Sequence, residues 1–127
     1  MLDASRLVCF VATTADADRA RAFYRDALGL ALVEDNGFAL LFEANGTQLR
    51  IQRVAEVAPH PYTALGWEVA DIAATVGALA ARGVAMVRYP GLPQDADGIW
   101  NTPDGSRVAW FHDPDGNTLS LSQPPAT

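Results

Sequence analysis

The chain repeats itself, and that repeat constrains its fold more tightly than any single motif. A strand-like run, Leu7-Val8-Cys9-Phe10-Val11, leads through Thr14-Ala15-Asp16 into a helical pattern ending at Leu28-Gly29-Leu30. Later, Ala64-Leu65-Gly66-Trp67-Glu68-Val69 leads through Ala70-Asp71 into a second helical pattern ending at Arg82-Gly83-Val84. The halves also close alike: Gly46-Thr47-Gln48-Leu49-Arg50-Ile51-Gln52 matches Gly116-Asn117-Thr118-Leu119-Ser120-Leu121-Ser122. A period this long exceeds that of a solenoid, so it describes two copies of one supersecondary module.

Within each copy the local signals are specific. Asp16 is the expected N-cap of the first helix, with Ala17, Ala20, Phe23, Tyr24, Ala27 and Leu28 at helical spacing behind it and Gly29 as the stop. Asp71 caps the second helix, whose apolar stripe is Ile72, Val76, Leu79 and Ala80, and Gly83 ends it. Strands are expected at 31–34, 38–43 and 48–53, then at 85–88, about 99–101, 107–112 and 118–122. Asn36-Gly37, Asn45-Gly46, Asp104-Gly105 and Asp115-Gly116 supply the turns. Each half therefore reads β-α-β-β-β, an α+β fold in one domain over 1–127, with modules near 5–54 and 62–123 and a Pro-containing linker at 55–61. The copies differ at Tyr89 to Ser106, which is longer than its counterpart and holds Pro90, Pro93, Pro103 and Trp100. Such a segment suits a ligand lid, a subunit contact or a rigid surface connection.

At 127 residues, half of them hydrophobic, the chain is long enough to bury a core of its own. No apolar run approaches the length of a membrane span, and the first residues lack a signal-peptide pattern. The single cysteine leaves no internal disulfide and fits a reducing cytoplasm. The net charge is −6 and the nine basic residues, all arginine, are scattered, which argues against nucleic acid or anionic membrane as partners.

The run from Asp16 to Leu30, Asp-Ala-Asp-Arg-Ala-Arg-Ala-Phe-Tyr-Arg-Asp-Ala-Leu-Gly-Leu, resembles the first-helix signature of the vicinal oxygen chelate superfamily. That group includes glyoxalase I, bleomycin-resistance proteins and extradiol dioxygenases. The closing run Val108-Ala109-Trp110-Phe111-His112-Asp113-Pro114-Asp115-Gly116-Asn117-Thr118-Leu119 resembles its other hallmark. The resemblance implies two βαβββ modules curled into an open, eight-stranded barrel around a cavity, usually in a homodimer. It also implies, for metal-dependent members, four inward ligands of His, Gln or Glu type from the first and last strand of each module. Counting seven back from each capping aspartate maps two of these to Cys9 and Ala64, and the closing strands give Arg50 and Ser120. Leu49, Ile51, Leu119 and Leu121 are expected to face the helices, so the residues between them point inward. This set departs from the family pattern throughout. Alanine cannot ligate, serine is a poor neutral ligand, and arginine places a fixed positive charge where an ion would sit. No metal and no cofactor is therefore expected.

The same parity gives a small, polar cavity lining: Cys9, Val11, Thr13, Gln48, Arg50, Gln52, Gly66, Glu68, Thr118, Ser120 and Ser122. Arg50 and Glu68 either pair with one another or bind an anionic group and a donor on a ligand. Cys9 is either a nucleophile or an inert small hydrophobe, and Glu68 either a general acid or base or a plain hydrogen-bonding residue. Trp67 is expected under the second helix. Trp100, Tyr89 and Phe38 are the candidates to stack on a flat ligand, while Trp110 and Phe111 must face opposite ways. The leading expectation is a metal-independent protein that binds an aromatic or drug-like small molecule in a cavity of a homodimer. The alternative is an enzyme of lyase, isomerase or dioxygenase type using Glu68 or Cys9, or a metal held by atypical ligands. A structural or regulatory module is the third reading.

Overall fold

The computed structural model describes residues 1–14 and 17–126. They fall into two compact units, Met1–Ala58 and Pro59–Thr127, each an α+β module of β-α-β-β-β order. After a short 3-10 turn at Leu2–Ala4, the first module contains β1 (Val8–Thr13) and α1 (Asp18–Arg21), which runs on as a π-helical stretch, Ala22–Ala27. It continues with β2 (Ala31–Asp35), β3 (Ala39–Ala44) and β4 (Thr47–Arg53). The second module contains β5 (Leu65–Glu68), α2 (Ile72–Ala80), β6 (Trp100–Asn101), β7 (Arg107–His112) and β8 (Thr118–Gln123). The two four-stranded sheets share one order, β1-β4-β3-β2 and β5-β8-β7-β6, with the first and last strand of each module side by side and parallel.

Local chemistry accounts for these elements. Asn45 (φ 48°) and Gly46 (φ 88°) both take positive φ, the requirement of a two-residue turn matching strand twist, so β3 and β4 form a tight hairpin closed at Ala44 and Thr47. Asp71, in an extended conformation, accepts a 3.1 Å hydrogen bond from the Ala74 amide and starts α2 as expected. The cap expected at Asp16 lies outside the described residues. The first helix widens toward its end, where Leu28 N–H donates to the Phe23 carbonyl five residues back at 2.9 Å.

Each helix covers one sheet face. In the first module Leu40, Phe42, Leu49 and Ile51 are buried with Ala20 and Tyr24, and the Tyr24 and Phe42 rings lie 6.0 Å apart. In the second, Ala109, Phe111, Leu119 and Leu121 are buried with Ile72, Val76 and Leu79, and Trp67 stacks on Phe111 at 6.3 Å. Trp67 thus packs on the helix side, as its position in β5 suggests. Burying each of the Leu, Ile, Val and Phe side chains among these is worth about 1.5–3 kcal/mol. The helix-bearing faces therefore hold each module together and leave the opposite faces free for other chemistry.

The strand expected at Ala85–Arg88 does not form. In the first module the edge strand β2 pairs along β3 with one irregularity between Leu32 and Glu34. In the second the edge is divided. Val87 N–H donates to the Trp110 carbonyl at 2.7 Å, then the chain leaves the sheet and rejoins it at Trp100, opposite Val108. The excursion between is held by Gln94, whose Nε2 donates to the Val87 and Gly98 carbonyls at 2.9 and 2.8 Å while Oε1 accepts from Tyr89 N–H at 2.8 Å. Asp95 adds two bonds of 2.9 Å, accepting from the amides of Asp97 and Ile99, and Ile99 is fully buried. A single backbone bond at 87 is too little to make a ladder, and the side chain of Gln94 replaces the missing strand partners. No helix among the described residues is long and apolar enough to cross a membrane.

Candidate functional site

Residues paired across a ladder point to the same side of the sheet, so the registers state what each helix-free face carries. On the second sheet Trp110, Ser120 and Gly66 form one row across β7, β8 and β5, and Val108, Ser122 and Glu68 form the next. Trp100 lies beside Val108 on the same face. Its ring stacks on Trp110 at 6.2 Å and 26°, while Tyr89, from the start of the excursion, meets Trp110 edge-on at 5.3 Å and 90°. The row thus falls from an indole to a hydroxyl to a residue with no side chain. A Cβ added at Gly66 would sit 2.8 Å from the Ser120 Oγ, so the open step there depends on glycine. Glu68, exposed at the end of β5, borders an open depression of about 440 Å³ shared with Val69, Ala70, Gln123 and Pro124.

The structure brings together Trp100 and Tyr89, and sets Ser120 beside their common partner Trp110. Trp110 itself was the residue that alternation alone left undecided. Counting outward from the Asp113–Asn117 turn identifies it, since Phe111 opposite Leu119 puts Trp110 opposite Ser120. Phe38, in the other module, occupies the turn before β3 and is 80% exposed.

On the first sheet the helix-free face carries Gln48, Arg50 and Gln52 of β4, with Val8, Phe10 and Ala12 of β1 beside them. The Arg50 guanidinium lies 5.4 Å over the Phe10 ring, and its Nε donates to Gln48 Oε1 at 2.8 Å. This corrects the expected lining. Cys9, Val11 and Thr13 pair with Leu49, Ile51 and Arg53, so they sit on the helix side, where Val11 and Thr13 are buried. The error came from counting back from the capping aspartates. Gly66, beside Ser120, lies five residues before Asp71, whereas Phe10, beside Arg50, lies six before Asp16, and a one-residue shift turns every side chain over.

The main ion-pair network of the first module lies at the end of β2. Asp35 accepts from Arg53 at 2.7 and 2.8 Å, from Arg21 at 2.9 Å and from the Gly37 amide at 3.0 Å. The Arg53 guanidinium above all, then the Gly37 N–H, holds the Asp35 carboxyl far below the usual carboxylate range. Arg21 also reaches Asp18 at 2.7 Å, so the network ties α1 to two strand ends.

The ligand positions implied by the resemblance do not fit a divalent ion. Of the four mapped positions Ala64 cannot ligate, Arg50 is a fixed cation and Cys9 lies on the helix side of its sheet, which leaves Ser120 as the one of the four with a neutral donor on a helix-free face. Among the described residues no three His, Cys, Asp or Glu side chains gather as a metal-holding group.

The whole chain is similar to solved structures. One is a protein assigned to the glyoxalase family from Bacillus anthracis, at 17% identity and TM-score 0.74, with 94% of each chain covered. Another is a glyoxalase/bleomycin resistance protein/dioxygenase superfamily member from Sphaerobacter thermophilus, at 25% identity and TM-score 0.72, covering 97% of this chain and 99% of that one. A third, at 19% identity and TM-score 0.68 with 92% of each covered, is a lactoylglutathione lyase from Agrobacterium tumefaciens. No curated protein matches the chain significantly. The paired βαβββ modules agree with a family-model match over residues 6–121, and the chain belongs to the Glyoxalase/Bleomycin resistance protein/Dioxygenase superfamily.

Proposed function

We propose that this chain is a metal-independent binding protein for a planar aromatic or drug-like small molecule, received on the helix-free face of its second module. The observation that carries the reading is the row Trp110–Ser120–Gly66, with Trp100 and Tyr89 against the indole. A flat ring laid over Ser120 and Gly66 meets the edge of an aromatic wall, and Ser120, Ser122 and Glu68 supply hydrogen-bonding groups at its border. A homodimer in a bacterial cytoplasm is the expected setting. Within the enzymatic alternative the Cys9 route has less behind it, because Cys9 lies on the helix side of its sheet, away from the Arg50 that was to activate it.

Calorimetric titration with quinoline, as a neutral planar probe, tests the proposal. Aromatic pairs contribute about 0.5–1.5 kcal/mol beyond burial, so Trp110→Ala should weaken binding about fivefold or more, with EDTA leaving wild-type affinity unchanged. Equal affinity in Trp110→Ala, or binding that requires a metal, sinks the reading.

A further inference from the structure

The arginines of the first module differ in what they hold. Arg21, Arg25 and Arg53 each pair with an aspartate of the same module. Arg50, half-buried at the centre of β4, holds instead the Gln48 amide oxygen and the face of Phe10. Neither partner is an anion, yet together they fix the guanidinium: the ring covers one face and the amide occupies Nε. What remains is the end-on fork of Nη1 and Nη2, parallel donors that match the two oxygens of a carboxylate. Side-chain ordering, which costs a free arginine up to about 2 kcal/mol when it binds, has already occurred here. Gln52, two residues on and on the same face, is exposed beside it.

We infer that Arg50 is a carboxylate-binding site on the helix-free face of the first module, pre-oriented by Gln48 and Phe10 for end-on bidentate contact. The site therefore takes small molecules that bear a carboxylate group. A carboxylate ligand without a ring tests Arg50 independently of the aromatic row proposed on the second module.

The experiment is a titration of the full chain at low ionic strength with sodium acetate, and in parallel with inorganic phosphate, following the Arg50 Nε–H resonance by NMR. Wild type should show a saturable shift with acetate, stronger than with phosphate. Arg50→Lys keeps the charge but loses the fork, and should weaken acetate binding about tenfold as followed on neighbouring backbone amides. Gln48→Met frees Nε without touching the charge and should weaken it about threefold, which provides a second test should the lysine variant fold poorly. The inference is overturned if acetate causes no saturable shift, if phosphate binds more tightly, or if Arg50→Lys binds acetate as well as wild type.

Discussion

Removing the side chain of Gln94 should loosen the aromatic wall from a distance. Gln94→Ala deletes three hydrogen bonds of 2.8 to 2.9 Å, two given to carbonyls and one taken from the Tyr89 amide. Each such bond is worth about 0.5–1.5 kcal/mol net, so the three sum to about 1.5–4.5 kcal/mol. The site is partly buried and water can re-solvate some of the freed groups, which places the expected loss in the lower half of that range. Gln94→Glu is a sharper probe. It keeps the acceptor for Tyr89 but turns a carboxylate oxygen toward the Val87 and Gly98 carbonyls, so at neutral pH it should cost at least as much as alanine. Urea unfolding with an unchanged m-value gives the stability difference. Near-UV circular dichroism follows Tyr89, Trp110 and Trp100, whose fixed ring contacts should weaken in both variants. A loss under about 0.5 kcal/mol in Gln94→Ala with an unaltered aromatic spectrum would refute the argument that this one side chain builds the excursion.

Three further substitutions bear on stability. Gly98 has φ of 84° and a Cβ there would meet the Met86 Cβ at 2.7 Å, so Gly98→Ala should cost about 2–5 kcal/mol in chemical denaturation, from left-handed strain and overpacking together. Gly77 in α2 has nothing within 4 Å of the same position, and Gly77→Ala should stabilise by about 0.5–1 kcal/mol in the same assay. Asp35→Asn should lower the urea midpoint most at neutral pH. Because the folded carboxyl titrates below its unfolded value of about 3.9, its contribution is present above that pH and fades as acid passes through the folded value. The gap between wild type and Asp35→Asn should therefore narrow below about pH 4, and parallel acid-unfolding curves count against the network.

Much of this architecture is legible in the sequence because its signals are local. Asp71 caps its helix through its own carboxylate, Asn45-Gly46 supplies two positive φ values in succession, and Leu49-Arg50-Ile51 alternates between the two faces of one strand. What alternation cannot give is the phase of one strand against another across a helix. The position of Cys9 depends on how many residues the chain spends between β1 and α1, and an error of one residue moved it from the Arg50 face to the Leu49 face. Hairpins carry no such ambiguity, which is why Trp110 follows from Ser120 once the turn between them is counted. The divided edge at 87–100 is hidden for another reason. It is set by a glutamine side chain reaching back to backbone groups at both ends of the excursion, an interaction without a periodic signature.

That divided edge also bears on how the protein behaves when crowded. An open edge strand offers a row of free amides and carbonyls to any other extended chain, and such pairing is a common start to aggregation. Along the β6 edge of the second sheet the regular strand is only two residues long, Trp100–Asn101, and Gln94 already occupies the carbonyls of Val87 and Gly98. The first sheet guards its β2 edge by other means, with Glu34 and Asp35 charged and the pairing interrupted at Val33. The same excursion that presents Tyr89 to Trp110 therefore blunts one of the two edges, that at β6, on which one molecule could extend the sheet of another.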